Sequence, residues 1–441
     1  MKNACAPFEG KKITLLGLGL LGRGAGDAEF LANCGAHLTV VDVKSRSELA
    51  EPAARLERFS SVELHLGEYK KEDFMSADLV IKAAGVPLDS PEIKIAKENN
   101  VPVAMSTALF AKYAMENGAT VVGVTGTRGK STVTQMIFHA LQSTKRKSHL
   151  GGNVRGVSTL AMLPEIEAGD ICALELDSWQ LQGFGDLQIS PHVSVFTNLM
   201  PDHQNYYASM EEYFSDKANI FRYQHGTDFL FAGKDIVEKV AAMQSPAAPQ
   251  VPAPIPDDWK LKILGEHNRE NASFASAALR ALGLSDEEIK SGVESFEGVE
   301  GRLQFVREVR GIKIYNDNNA TTPEATIAAL RALGKNITLI VGGSEKGLPL
   351  GQLVSSTKQH VSHVILLTHE NYKGSVRLAN ELKSAGVAFE EANDLNSAVA
   401  CAMKQTKSGT ILFSPAFASF GMFKNEYERN DQFLRLVRAL D

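Results

Sequence analysis

This chain is poor in the residues that staple small or exported folds. Its four cysteines, Cys5, Cys34, Cys172 and Cys401, lie far apart and form no CxxC pair. That spacing fits neither a disulfide framework nor a zinc cluster, and it predicts reduced thiols in a cytoplasmic protein. Long hydrophobic runs are absent too: none reaches the roughly 18–20 apolar residues of a membrane helix. The opening MKNACAPFEGKK lacks the apolar stretch of a signal peptide. Nor is there a marked excess of one charge sign. With 46 basic and 52 acidic side chains the formal charge is −6, which gives no global field for nucleic acid and leaves only a local basic pocket for phosphates. Secretion, a membrane span and a nucleic-acid partner are not expected.

What is present is an ordinary globular balance, 44% hydrophobic and 22% charged. The 441 residues allow two to four domains at roughly 100–200 residues each. Short apolar runs at 13–16, 38–41, 79–83, 120–124, 171–176, 193–196, 337–341, 364–367 and 410–413 read as buried strands. Helical patterns such as 131–141, 271–281 and 323–333 separate them. That alternation predicts parallel α/β sheets covered on both faces. The segment 245–256, SPAAPQVPAPIP, carries five of the sixteen prolines and cannot be a helix or a central strand. An interdomain linker and a surface loop both fit it.

The strongest local signal is Val121-Val122-Gly123-Val124-Thr125-Gly126-Thr127-Arg128-Gly129-Lys130-Ser131-Thr132. A β-rich run leads through glycines into Lys-Ser-Thr and a helix. Glycines let the backbone curl so that N–H groups converge on phosphate oxygens at a helix start. Lys130 would pair with the phosphates, and the Ser131 hydroxyl could hold Mg²⁺. The spacing departs from GxxxxGK[ST], because Val124 stands where the first glycine belongs. A second glycine set, Gly17-x-Gly19-x-x-Gly22, follows the first strand, with Asp42 ending the next. This is the dinucleotide pattern; it suggests NAD chemistry or, more modestly, any diphosphate over a helix start with a carboxylate near ribose or base.

Three charged groups sit where a plain core would not place them. Glu175 lies inside the apolar run 171–176, near the carboxyl end of a strand that faces the usual ligand crevice. Asp202-His203 follows another strand through the polar turn Thr197-Asn198. Ser209 and Glu212 form a capping-box pattern, and Lys217 falls on the apolar face of the helix they open, with Met210, Tyr213, Phe214, Ile220 and Phe221. Either Lys217 snorkels to solvent, or burial lowers its pKa and it is modified or meets a ligand.

In order and spacing, TGTRGKST, ELDSWQL, NLMPDH with Lys217, GEHNRENA, GRLQF with NDNNATTPEA, GGSEKG and SPAFASFGMFKN resemble the Mur ligases. The match extends from GLGLLGRG to FKNEYERNDQF, essentially the whole chain. It is closest to the members that add D-glutamate to UDP-N-acetylmuramoyl-L-alanine. The resemblance implies an α/β protein of three domains. These are an N-terminal Rossmann-like UDP-substrate domain (1–105), a central P-loop-type ATPase with a parallel sheet (106–300) and a C-terminal Rossmann-like domain for the amino acid (301–441).

It also implies ATP and Mg²⁺, formation of an acyl phosphate, and attack on it by the amine of glutamate. Phosphoryl transfer between anions needs such cations to offset repulsion. Carried over by position, Gly126, Thr127, Arg128, Gly129, Lys130, Ser131 and Thr132 would bind ATP, with Asn271, Arg302 and Asp317. Lys130, His203 and Lys217 would be catalytic. Ser131, Glu175, His203 and a carbamylated Lys217 would hold metal. Gly17, Gly19, Gly22, Asp42, Gly85 and Asn153 would bind the UDP substrate rather than NAD, and Thr321, Lys346 and Ser419 the amino acid.

Several residues depart from the family pattern. Arg128 replaces an asparagine or histidine, Gly301 a histidine, Asn319 a lysine, Gly421 an aspartate and Glu426 an aromatic residue. Several of them fall in the domain that selects the amino acid, which leaves L-glutamate as an alternative. A folate or poly-glutamate synthetase and an NAD-dependent dehydrogenase are the further alternatives. A cytoplasmic monomer is expected.

Overall fold

The computed structural model describes residues 4–20, 22–202 and 206–440. The chain divides into two compact units, Met1–Ile255 with Asn271–Val293, and Pro256–Glu270 with Glu294–Asp441. The first unit holds two sheets. In the N-terminal sheet, β1 (Lys12–Leu16), β2 (His37–Asp42), β3 (Val62–Leu66), β4 (Leu79–Lys82) and β5 (Val103–Ala104) run parallel in the order β3-β2-β1-β4-β5. The middle sheet contains β6 (Thr120–Thr125), β7 (Ser148–Gly152), β8 (Ile171–Glu175), β9 (Val193–Phe196), β10 (Phe229–Ala232) and β11 (Pro249–Gln250). It is also parallel, ordered β11-β10-β9-β6-β8-β7.

Both orders reverse direction beside the first strand of the sheet. That places the loops after β1 and β6 at the switch points where open α/β sheets bind ligands. The apolar runs become strands because both faces are covered. Ile13, Leu15, Val40, Val121, Leu174 and Phe196 are all buried and belong to one continuous core shared by the two sheets.

The second unit carries β12 (Gln304–Val309), β13 (Ile312–Asn316), β14 (Ile337–Val341), β15 (Val361–Leu367), β16 (Glu390–Ala392) and β17 (Gly409–Phe413). The order is β12-β13-β17-β14-β15-β16. This sheet departs from the all-parallel expectation, because β12 pairs antiparallel with β13. The reason is local. Arg310 (φ 54°) and Gly311 (φ 79°) both take left-handed backbone, which closes a tight hairpin. Two apolar clusters fill the unit, one around Ile314, Ile365 and Phe413, the other around Leu330, Leu339 and Leu366.

Two further expectations are refined. The proline-rich segment is not merely a linker or a surface loop: Pro249 and Gln250 pair with Leu230 and Phe231 as the edge strand of the middle sheet, and the chain passes to the second unit only at Pro256. Proline is tolerated there because an edge position leaves its missing N–H facing away from the ladder. Nor are all the cysteines reduced. Cys5 and Cys34 form a disulfide with Cα atoms 4.7 Å apart, while Cys172 and Cys401 are free. No CxxC pattern announces this pair, since 29 residues separate its members. Folding joins them. Phe8 packs edge-on against Phe30 and Tyr113, and the Gly10 N–H donates to the Gly35 carbonyl, laying the first turn across the end of the helix Arg23–Asn33. No described helix is long and apolar enough to cross a membrane.

Candidate active site

The phosphate loop leaves the central strand β6 and enters the helix Lys130–Gln142. Val124 stands in place of a glycine because the strand simply continues through it, paired with Glu175 and Val195. The two loop glycines are demanded by their neighbours. At Gly126 (φ 143°) a Cβ would stand 1.9 Å from Thr197 Oγ1, and at Gly129 (φ 85°) one would stand 2.4 Å from Asn271 Oδ1. Thr197 Oγ1 donates to the Arg128 carbonyl at 2.6 Å, and the Arg128 N–H donates to Asn198 Oδ1 at 2.8 Å. Thr127 Oγ1 accepts from the Met200 N–H at 2.9 Å. The turn after β9 is thus a latch on the loop. Sequence reading noted its polarity without assigning it this role.

Two lysines converge here. Lys130 Nζ donates to the Gly126 carbonyl at 2.9 Å and to the Thr127 carbonyl at 3.2 Å. Lys217, from the helix Met210–Ala218, donates to the same Gly126 oxygen at 3.0 Å and to Thr125 Oγ1 at 3.3 Å. It is 1% exposed and lies 4.8 Å from the Tyr213 ring centre, so it does not snorkel. Burial, and then the nearby Lys130, hold its pKa well below the usual lysine value; Asp177, Asp202 and Asp216 oppose this in part. The helix has the Ser209 half of the expected capping box, Ser209 Oγ accepting from the Glu212 N–H at 3.1 Å, while Glu212 Oε2 accepts from the Ala208 N–H at 3.0 Å.

Glu175 is the last residue of β8 and is 5% exposed, in register with Val124 and Gly152. Ser131 is buried in the first helical turn after the loop. Among the described residues no group of three or more His, Cys, Asp or Glu side chains is gathered as a metal site. His203 lies outside the described residues. Asn271 is buried on the helix Glu266–Ala281, its carboxamide against Gly129. Asn153 follows Gly152 (φ 86°), and its N–H donates to the Glu175 carbonyl at 2.7 Å.

The N-terminal loop is built alike and dressed differently. Gly17, Gly19 and Gly22 all have positive φ. A Cβ at Gly17 would meet Ala83 Cβ at 2.7 Å, so the turn after β4 packs directly on the loop. Asp42 Oδ2 accepts from the Gly19 N–H at 3.0 Å and its Oδ1 from the Lys44 N–H at 2.9 Å. A Cβ at Gly85 would meet open space. Lys82 was missed by sequence reading, although a lysine inside a strand-like run was a visible signal. It is buried, donates to the Val86 carbonyl at 2.9 Å, and is pushed down to about 8 by burial.

In the second unit, Asp317 follows β13 and is held by Ser414 Oγ (2.7 Å) and the Leu303 N–H (3.0 Å). Burial pushes it up to about 7, opposed by those hydrogen bonds and by Arg302. Lys346 Nζ donates to Thr321 Oγ1 at 3.1 Å, bringing together two of the expected amino-acid contacts. Ser419 is buried, and its carbonyl accepts from Tyr372 Oη at 3.2 Å. Two of the departures are neighbours: a Cβ at Gly301 (φ 73°) would press on the Asn319 carboxamide at 3.1 Å. Asn319 Nδ2 donates to the Glu300 carbonyl at 3.3 Å.

Three family models match the chain: Mur ligase MurD-like, N-terminal domain at 11–105, Mur ligase middle domain at 124–252, and Mur ligase, glutamate ligase domain at 301–417. The chain is 32% identical over 470 residues to UDP-N-acetylmuramoylalanine–D-glutamate ligase of Roseiflexus sp. (strain RS-1), covering 98% of this chain and 99% of the relative. It is 33% identical over 456 residues to the protein of the same name from Clostridium kluyveri (strain ATCC 8527), covering 98% and 97%. Among solved structures, UDP-N-acetylmuramate-alanine ligase MurC from Thermotoga maritima superposes with a TM-score of 0.62 at 20% identity, over 97% of this chain and 99% of that one, a likeness of fold.

Proposed function

This chain belongs to the Mur ligase family, and within it we propose that it joins D-glutamate to UDP-N-acetylmuramoyl-L-alanine with cleavage of ATP. The observation that carries this reading is the convergence of Lys130 and Lys217 on one loop carbonyl at a helix N-terminus, with Lys217 buried and driven towards its neutral form. The substrate carboxylate takes the γ-phosphoryl group of ATP and releases ADP. The glutamate amine then attacks the acyl carbon, phosphate leaves, and an amide remains.

Gly126 to Thr132 cradle the nucleotide, with Lys130 offsetting phosphate charge and Asn271 contacting the adenine; Arg302 and Asp317 are assigned as further nucleotide contacts. A neutral amine is the form that adds to CO₂, so Lys217 becomes a carbamate with loss of a proton. This turns a cation into an anion. Ser131 and Glu175, both buried, offer hard oxygen donors of the kind that suits Mg²⁺. Ser131, Glu175, His203 and carbamylated Lys217 would hold the metal, which when bound screens charge during phosphoryl transfer. Gly17, Gly19, Gly22, Asp42, Gly85 and Asn153 take the UDP substrate, and Thr321, Lys346 and Ser419 the glutamate. We assign these roles to domains at 1–105, 106–300 and 301–441 of a cytoplasmic monomer.

Phosphate release from ATP, measured with UDP-N-acetylmuramoyl-L-alanine and either D- or L-glutamate, tests this. Release that depends on D-glutamate is expected. Turnover with L-glutamate alone overturns the stereochemical assignment, and turnover of a nicotinamide cofactor without ATP overturns the reaction.

A further inference from the structure

Asn153 has its backbone pinned. Its N–H is bound to the Glu175 carbonyl, and Gly152 before it has no room for a side chain, since a Cβ there would stand 2.1 Å from that same oxygen. What remains undetermined by the backbone is which end of the carboxamide faces the substrate. The two ends are nearly equal in shape but opposite in hydrogen-bonding sense. Arg23 settles it. Its Nη1 donates to Asn153 Oδ1 at 2.9 Å, across 130 residues of sequence. With the oxygen so engaged, the Nδ2 end, a donor only, is turned away from Arg23.

The contact is built rather than incidental. Arg23 is the first residue of the helix that follows the N-terminal glycine loop, and Asp27, one turn on, makes a second tie to the same segment. Asp27 Oδ1 accepts from Ser158 Oγ at 2.6 Å. Gly26 permits this approach, because a Cβ there would lie 2.6 Å from Ser158 Cβ. One helix face therefore docks on residues 153–158 through Arg23 and Asp27, which share it at the i, i+4 spacing.

We propose that Arg23 is a positioning residue: it fixes the Asn153 carboxamide with its N–H donors towards the UDP-linked substrate, coupling the N-terminal glycine loop to the strand end that carries Glu175. This rests on the reading of Asn153 as a substrate contact.

Steady-state phosphate release by the full-length enzyme tests it, with Arg23→Met, Arg23→Lys, Asn153→Ala and the double variant Arg23→Met/Asn153→Ala. Loss of a charge-assisted hydrogen bond predicts that Arg23→Met lowers kcat/KM for UDP-N-acetylmuramoyl-L-alanine about tenfold with the KM for ATP unchanged. Arg23→Lys, which keeps a donor and is the variant to use if Arg23→Met does not fold, should recover part of the loss. The double variant should be no worse than Asn153→Ala alone. Independent, additive losses, or wild-type kinetics in Arg23→Met beside an impaired Asn153→Ala, would overturn the positioning role. Wild-type kinetics in Asn153→Ala would instead remove the reading of Asn153 on which it rests.

Discussion

The two glycine loops share a backbone and differ in charge. Each leaves the first strand of a parallel sheet and ends on a left-handed glycine that caps a helix, Gly22 at φ 79°, ψ −13° and Gly129 at φ 85°, ψ −17°. The N-terminal loop is bound by a carboxylate, Asp42, on the Gly19 N–H. The middle loop is bound by two lysines on the Gly126 carbonyl. The same turn thus stands beside a carboxylate in one sheet and beside two lysines in the other. Backbone shape supplies the cradle, and the side chains from neighbouring elements choose what lies in it.

That contrast can be broken most severely at Lys217. Lys217→Ala should cut ligation by about a thousandfold or more, as expected when a preorganised charge is removed from a reaction centre. Circular dichroism should show the fold retained, and a short carboxylate such as formate should restore part of the rate. Full activity in this variant would rule out the carbamate. At the level of stability, the loops should differ in their tolerance of a methyl group. Gly126→Ala forces a Cβ onto Thr197 and should cost roughly 3 kcal/mol in denaturant unfolding.

The titrating groups beside the loops also move in opposite senses. Burial depresses Lys217, whereas it raises Asp27, on the helix after the N-terminal loop, from 3.8 to about 6. An acid whose folded pKa lies above its unfolded one binds the extra proton when folded. Its contribution is full below pH 3.8 and is lost as pH rises through about 6. Asp27→Asn should therefore gain roughly 2–3 kcal/mol relative to the parent between pH 4 and pH 7. Parallel pH curves for the two proteins would show that Asp27 does not titrate as its burial implies. The smallest effect is expected at Gly19, where a Cβ meets nothing within 4 Å. Gly19→Ala should cost only about 1 kcal/mol, the strain of a left-handed alanine.

Much of this was legible before folding. The apolar runs at 13–16, 120–124 and 193–196 lie within β1, β6 and β9, because strands covered on both faces must be apolar throughout. The phosphate loop was legible despite Val124, since Lys-Ser-Thr after glycines and before a helical pattern has few other uses. Lys217 was legible as an anomaly but not as an outcome. Its periodicity placed it on an apolar face, yet only packing against Tyr213 and the loop decided that it stays inside. Lys82, a lysine inside a strand-like run, was a signal left unread, whereas Arg23 and Thr197 were not legible as site residues, because each acts on a carbonyl or amide that sequence spacing does not bring near. The Cys5–Cys34 pair escaped for the same reason, and the antiparallel β12 because a two-residue hairpin at Arg310-Gly311 interrupts the α/β alternation.

By itself, then, the sequence determined the alternation of strands and helices, the two glycine loops, and the residue types from which a phosphate-handling site could be made. These are properties of local pattern: period, capping and backbone freedom. Tertiary structure alone decided which groups share an oxygen, which lysine has its pKa depressed, and which end of Asn153 meets Arg23. Those depend on desolvation and on hydrogen bonds between residues far apart in the chain, such as Arg23 and Asn153, and no local pattern encodes such distances.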